Sequence, residues 1–286
     1  MLTTKEKADL KLEGYIKQRG DNDFFSMRIV SDAGNMTSED MMSLSKIASK
    51  YGRGYMSFTT RLCVEIPWIR YEDINNIREE LKRANLVSGG TGNKLRPLVA
   101  CKGTVCVHGI FDTQDVCRRL YDKYFLEETP AKFKIGLVGC PNNCAKASLN
   151  DLGIMGQVVP EANDTKCTGC GMCAKSCKMG AIRIYNSRAI IDYDKCINCG
   201  DCISACRMNA IDIKKRGLAI FVGGKFGKRY RLGTRLDGLI DVKDAEKITG
   251  DIIEFYRKYA MEKERFGDML DRVGIQKLEE VIFGEK

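Results

Sequence analysis

Fourteen cysteines stand in this sequence, at positions 63, 101, 106, 117, 140, 144, 167, 170, 173, 177, 196, 199, 202 and 206. Most fall in short C-x₂₋₄-C spacings, because a tight turn must aim several thiolates at one point to hold a metal. Cys63 and Cys117 stand alone and read as small buried hydrophobes. Residues 167–213 are an internal repeat: Cys167, Cys170, Cys173, Cys177, Met179, Ala181, Ile182 and Ile184 recur 29 positions later as Cys196, Cys199, Cys202, Cys206, Met208, Ala210, Ile211 and Ile213. Each half is C-x₂-C-x₂-C-x₃-C. Three cysteines in one loop wrap three corners of a cubane, and the fourth reaches the other cluster. The spacing therefore predicts one [4Fe–4S] cluster on Cys167, Cys170, Cys173 and Cys206, and a second on Cys196, Cys199, Cys202 and Cys177. Zinc sites use C-x₂-C pairs, whereas these are triplets plus a fourth.

A second group is Cys101-x₄-Cys106 followed by Cys140-x₃-Cys144. The ligand count alone suits either zinc or a third iron–sulfur cluster. Lys132, Phe133 and Lys134 lead into an expected strand over 133–138. In extended backbone both ammonium groups share one face and Phe133 packs on the other. Two like charges converging beside a metal site are unfavourable unless an anion sits between them. Arg61 follows an expected strand end at Thr59-Thr60, and Arg96 precedes Cys101 by five residues, so these four cations form a candidate anion site.

The elements that must position these residues are legible in outline. FFSMRIV at 24–30 reads as a strand. Thr37 or Ser38 caps a helix whose apolar residues Met41, Leu44, Ile47, Ala48 and Tyr51 follow at helical spacing, with Gly52 as its stop. Extended stretches at 55–60 and 63–66 lead to a helix over 71–84. The order β-α-β-β-α predicts a small α+β sandwich over an antiparallel sheet. Farther along, a helix over 115–124 and strands at 133–138, 153–159 and 218–222 are expected. Pro160 to Asp164 reads as a linker into the repeat, and helices over 242–258 and 262–273 close the chain.

Composition narrows the classes. With 286 residues, 44% apolar and 30% charged, the chain reads as soluble and globular, of one large or two ordinary domains. No apolar run approaches a membrane span, and the opening MLTTKEKADLKLEG lacks the apolar core of a secretory leader, so a cytoplasmic location and no membrane partner are expected. A net charge of +9 suits anionic ligands. It is not gathered into one basic run, and nucleic acid is not expected as a partner. The single histidine, His108, excludes bis-His haem and Cys₂His₂ fingers within one chain; it reads as a locally hydrogen-bonded turn residue rather than a haem ligand. GGKFGK at 223–228 is not a Walker A loop, and no G-x-G-x-x-G unit appears, so a nicotinamide or flavin dinucleotide would bind a partner instead.

Taken together, the motifs are recognisable. The repeat resembles bacterial two-cluster ferredoxins, with Lys178 and Arg207 where proline usually follows the fourth cysteine. GRGYMSFTTR at 52–61, PAKFKIGLVGCPNNC at 130–144 and GGKFGK at 223–228 resemble the sirohaem-containing sulfite and nitrite reductase family, most like its anaerobic sulfite reductase type and short dissimilatory-sulfite-reductase-like proteins. The resemblance spans roughly 12–160 and 215–285. It implies an α+β fold, a sulfite reductase-type α/β sandwich, divided as a ferredoxin-like half domain (1–88), a sirohaem and [4Fe–4S] domain (89–160 with 215–286) and an inserted 2[4Fe–4S] ferredoxin domain (161–214).

The resemblance also implies a third cluster on Cys101, Cys106, Cys140 and Cys144, with Cys144 bridging it to sirohaem. Arg61, Arg96, Lys132 and Lys134 would contact the substrate anion. Gly223, Gly224 and Gly227 would let backbone amides approach a sirohaem carboxylate, and Lys225, Lys228, Arg229 and Arg231 would pair with it. The expected activity is reduction of sulfite to sulfide, with electrons relayed from a donor protein through the two ferredoxin-type clusters. The alternatives are nitrite reduction by the same site, or a non-catalytic electron-transfer subunit. Two departures stand out: the first cysteine pair encloses four residues where better-known members have five, and the chain carries one homologous half where larger members carry two, so a homo-oligomer is expected to supply the other.

Overall fold

The computed structural model describes residues 2–20 and 24–284. Met1, at the start of the expected first domain, and Glu285–Lys286, at the end of the last, lie outside the described residues. The chain forms two compact units. The first comprises Met1–Ala100, Cys117–Ile135 and Ile252–Leu278; the second comprises Cys101–Val116, Gly136–Asp251 and Glu279–Lys286.

The first unit opens with α1 (Thr4–Leu12), whose N-cap Thr3 forms a capping box with Glu6, and continues through β1 (Tyr15–Lys17) and β2 (Phe24–Ile29). Next come α2 (Ser38–Tyr51), β3 (Ser57–Phe58), β4 (Val64–Arg70) and α3 (Ile74–Arg83). The four strands make an antiparallel sheet in the order β1-β2-β4-β3. Strand β2 alternates as expected of a half-buried strand, with Phe25, Met27 and Ile29 buried. Against them pack Leu44, Ile47 and Ala48 of α2 and Ile74, Ile77 and Leu81 of α3, in one core. Each large side chain buried there contributes about 1.5–3 kcal/mol. The expected cap is present: the Thr37 hydroxyl accepts from the Asp40 N–H and the Asp40 carboxylate accepts from the Thr37 N–H. Helix α1 and strand β1 had no counterpart in the sequence reading.

After β5 (Val99–Ala100) and α4 (Thr113–Tyr124) the chain enters β6 (Ile135–Val138) and β7 (Leu152–Ala162). In the repeat, α5 (Met172–Ser176) precedes the hairpin β8 (Ile182–Tyr185) and β9 (Arg188–Ile191), and α6 (Asp201–Ala205) precedes β10 (Ile211–Val222). Then come β11 (Thr234–Arg235), α7 (Ala245–Tyr259), α8 (Phe266–Val273) and α9 (Gln276–Phe283), the last unanticipated. In the second unit β11, β10, β7 and β6 lie side by side in that order.

The reading of Pro160 to Asp164 as a linker is corrected here. Strand β7 runs on to Ala162 and pairs with β10 as far as Ala162 opposite Ile211. Pro160 stands opposite Ile213, where the register of β10 shifts before Lys215, and a bulge tolerates a residue without an N–H. The ladder therefore continues into the repeat.

Candidate functional site

The repeat is structural as well as sequential. Helices α5 and α6 each begin at a left-handed glycine, Gly171 (φ 77°) and Gly200 (φ 82°), a conformation a side chain would strain. Both helices stop at the fourth cysteine, where Cys177 and Cys206 turn to extended backbone. The Ala181 N–H donates to Cys177 Sγ at 3.3 Å and the Ala210 N–H to Cys206 Sγ at 3.2 Å. Two cavities result. One is lined by Cys167, Cys170, Cys173 and Cys206. The other is lined by Cys177, Cys196, Cys199 and Cys202. Each cavity thus gathers three cysteines of one half of the repeat and the fourth of the other.

The thiols in each set oppose one another's ionisation. Burial pushes Cys202 up to about 12, and Cys196, Cys199 and Cys173 add to the rise. Burial likewise raises Cys173, with Cys206 and Cys167 contributing. Thiolates crowded in this way need a cationic centre to ionise together, which is what the iron of a cluster supplies. The chemistry of the donor sets, four thiols lining each cavity, fits such a group.

The remaining four cysteines all belong to the second unit. Cys140 is raised chiefly by burial, opposed by the Asn142 N–H, and raised further by Cys101, Cys144 and Cys106. The Cys101 N–H donates to Leu137 O (3.0 Å), and its Sγ accepts from the Gly139 N–H (3.1 Å). Three glycines make this approach possible. A Cβ on Gly109 would fall 1.9 Å from Gly103 O, and one on Gly139 would fall 3.0 Å from Gly103 Cα. The backbone of the Cys101–Cys106 turn therefore lies directly against the residue before Cys140. The sequence reading singled out none of these glycines, although Gly103 sits inside the first cysteine pair and Gly139 beside the second.

The four expected substrate cations all belong to the first unit. Lys132 is exposed, Phe133 fully buried and Lys134 half-buried, the alternation expected of extended backbone. Regular strand starts only at Ile135, but Phe133 already forms a parallel bridge with Leu95, and the Arg96 N–H donates to Phe133 O at 2.8 Å. Leu95 and Phe133 are both fully buried, so Arg96 and Lys134, one residue on, share the opposite face. Arg61 closes the corner: its Nε and Nη2 donate to Pro97 O at 2.9 and 2.6 Å, and its Nη2 to Ile135 O at 2.9 Å. Those carbonyls belong to the residues following Arg96 and Lys134. Beneath, Phe133 packs on Tyr256 and Phe266, with ring centroids 5.6 and 5.3 Å away. Three segments distant in sequence, those of Arg61, Arg96 and Lys134, are thus held together at a corner that carries these cations, and Arg96 Nη1 donates to Gly90 O at 3.0 Å.

The glycine-rich segment is a protruding loop of the second unit. Lys225 and Arg231 exchange two backbone hydrogen bonds of 2.9 Å, and Phe226 through Tyr230 are exposed, Lys228 and Arg229 among them. Gly227 lies in this exposed stretch, whereas Gly223 and Gly224 are buried at its base. The Gly223 N–H donates to Asp151 O at 2.8 Å, and Arg231 Nη1 donates to Val222 O and Gly223 O, so both are engaged in holding the loop's base. Cys63 and Cys117 are buried, at 1% and 0% exposure, as expected of packing residues, and burial pushes the Cys117 thiol up to about 12. His108 is half-exposed with Nδ1 3.9 Å from Asp201 Oδ1. Among the described residues no helix is long and apolar enough to cross a membrane.

The chain is similar to known proteins in sequence and in fold. The chain matches the nitrite and sulphite reductase 4Fe-4S domain over residues 91–286 and the nitrite/sulfite reductase ferredoxin-like half domain over 16–84. It is 36% identical to the coenzyme F420-dependent sulfite reductase of Methanocaldococcus jannaschii over 94% of its own length and 44% of that protein's. It is 31% identical to a subunit of the anaerobic sulfite reductase of Salmonella typhimurium over 61% of this chain and 59% of that one. The chain therefore spans only about half the length of these two relatives. The crystal structure of dissimilatory sulfite reductase I shares the fold, with a TM-score of 0.74 at 23% identity over 92% of this chain and 70% of that one. With the family domain matched over more than half of its residues, this chain belongs to the nitrite and sulphite reductase family.

Proposed function

We propose that the chain is the catalytic part of a sirohaem-type oxidoreductase that reduces sulfite to sulfide, with nitrite as the alternative anion. Three thiol quartets would hold three [4Fe–4S] clusters: Cys167, Cys170, Cys173 and Cys206; Cys177, Cys196, Cys199 and Cys202; and Cys101, Cys106, Cys140 and Cys144. Residues 161–214 would act as an inserted ferredoxin domain between 1–88, a ferredoxin-like half domain, and the sirohaem domain of 89–160 with 215–286. The observation that carries the reading is the crossed pairing of repeat cysteines around two separate cavities. The names of two relatives favour sulfite over nitrite.

Cys144 would help to hold both sirohaem and the third cluster, and sirohaem would supply the multi-electron reduction. The chain's own residues would hold the anion and feed it protons. Arg61 and Arg96 remain protonated and stabilise negative charge; the backbone carbonyls that grip Arg61 leave it little freedom to reorganise. Lys132 and Lys134, or water they bind, would deliver protons to the departing oxygens. Lys225, Lys228 and Arg229 would pair with sirohaem carboxylates, alongside the amides of Gly224 and Gly227; the expected roles of Gly223 and Arg231 are corrected, since the Gly223 N–H is taken by Asp151 O and the Arg231 guanidinium by Val222 O and Gly223 O. A donor protein would provide electrons, a second copy of the chain would supply the missing half, and the cytoplasm is the expected setting.

The test is anaerobic purification with iron and acid-labile sulfide counted and the visible spectrum recorded. About thirteen irons per chain, twelve in three clusters and one in sirohaem, with sirohaem bands and sulfide formation from a small-molecule electron donor, are expected. A preparation with clusters but without sirohaem bands, inactive after sirohaem is supplied, would make the chain an electron carrier instead.

A further inference from the structure

The two thiol sets of the repeat are alike in their cysteines and unlike in their charge. The residue before the third cysteine of each triplet is Met172 in the first half and Asp201 in the second. Asp201 lines the cavity of Cys177, Cys196, Cys199 and Cys202. No charged residue is among those lining the cavity of Cys167, Cys170, Cys173 and Cys206, where Thr168 is the polar side chain besides the cysteines. Lys178 also lines the second cavity and follows Cys177. Its counterpart, Arg207, follows Cys206 but is not among the residues lining the first cavity. The second cavity is thus lined by a carboxylate and an ammonium group and the first by neither, and Asp201 is the group that would oppose an added electron.

On its outer side His108 Nδ1 lies 3.9 Å from Asp201 Oδ1, an ion pair when that imidazole is protonated, and Arg216 lines the pocket they share. Toward the cavity Asp201 faces Cys199, whose thiol is raised first by burial, with the carboxylate adding to the rise and the Asp201 N–H opposing it. A fixed negative charge beside a cluster disfavours an added electron, since net charge and hydrogen bonds to the sulfurs set its potential.

We propose that Asp201 is a potential-setting residue, which holds the cluster of Cys177, Cys196, Cys199 and Cys202 at a lower reduction potential than that of Cys167, Cys170, Cys173 and Cys206. This rests on the cluster assignment above. The two ferredoxin-type sites then differ in function: the Cys167 set retains an electron more readily, and the Cys177 set is the stronger reductant.

The experiment is a redox titration of the anaerobically purified holoprotein, followed by electron paramagnetic resonance, for the unaltered protein, Asp201→Asn and Met172→Asp. The unaltered protein should show two separable midpoints for the ferredoxin-type signals. Asp201→Asn should shift the lower one upward and leave the other in place. Met172→Asp should shift the upper one downward, and decides the matter alone if Asp201→Asn fails to take up its cluster. Midpoints unmoved in either loaded variant, or both signals moving together, overturn the proposal. Iron and sulfide counted on the unaltered protein reveal a failure of the cluster assignment itself, which would overturn this inference too, and separate it from a failure of the tuning alone.

Discussion

The thiol sets of the second unit and the cationic corner of the first are built on different scales. Each repeat set takes three cysteines from a loop of seven residues and one more from the other half, and the loops are shaped by local devices such as the glycines that open α5 and α6. The cationic corner draws Arg61, Arg96 and Lys132–Lys134 from three distant segments, and Arg61 reaches a carbonyl 74 residues away. Its assembly depends on the Leu95–Phe133 bridge and on the rings beneath Phe133. Chemistry encoded by local spacing tolerates loss of distant contacts; chemistry encoded by packing does not. Damage to a thiol set should therefore be read in metal content, and damage to the corner in turnover with metal content intact.

The largest effect should come where the proposed function makes one residue serve two centres. Cys144→Ser should reduce sulfide formation to background and abolish magnetic coupling between sirohaem and the third cluster, while both repeat clusters remain. Near-normal turnover in that variant would rule out the bridging role. Next in size are Lys132→Met and Lys134→Met. Each should lose about 10²–10³ in turnover, the usual loss for one stabiliser of developing charge, with the visible spectrum unchanged. Methionine keeps the apolar stem, so full activity in both variants would leave these lysines as solvated or packing side chains.

Much of this was legible in the sequence, and the gaps have physical causes. The repeat could be read because its cysteines and apolar residues recur at one offset, and α2 because Thr37 and Asp40 form a capping box ahead of an amphipathic run. The lysine face was read from period two alone, although Lys132 to Lys134 precedes the regular strand. Strand β7 was cut short at Pro160 because a proline normally ends a ladder, and the bulge that accommodates it is a property of the partner strand. Helix α1 escaped notice because one residue in it, Leu10, is buried, leaving no apolar stripe to detect. The packing of Gly103 against Gly139 was invisible because the two lie far apart in the chain.

That packing gives a third, intermediate effect. Gly109→Ala forces a Cβ against Gly103 O, so the Cys101–Cys106 turn must move away from Gly139 and Cys140. Overpacking of this kind costs about 1–3 kcal/mol. The iron count should fall by about four per chain, one cluster's worth, with the repeat clusters retained. Retention of all three clusters at unchanged thermal stability would show that the turn does not depend on this approach.

The smallest effect tests whether the cationic corner depends on what lies under it. The Tyr256 ring is fully buried between Phe133 and Phe266, and its hydroxyl accepts from the Ala131 N–H (3.1 Å) and donates to Glu264 O (2.5 Å). Tyr256→Phe keeps the ring packing and removes both bonds, leaving a buried N–H without that partner at a cost of about 1–3 kcal/mol. Ala131 immediately precedes Lys132, so the loss falls on the backbone that aims both lysines. The melting temperature should drop by several degrees, since each kcal/mol is worth roughly 2–4 °C in a chain of this size. The KM for sulfite should rise with the iron count unchanged. If the melting temperature falls but KM stays fixed, the lysines are positioned by the Leu95–Phe133 bridge alone, and the corner is more locally built than its long-range contacts imply.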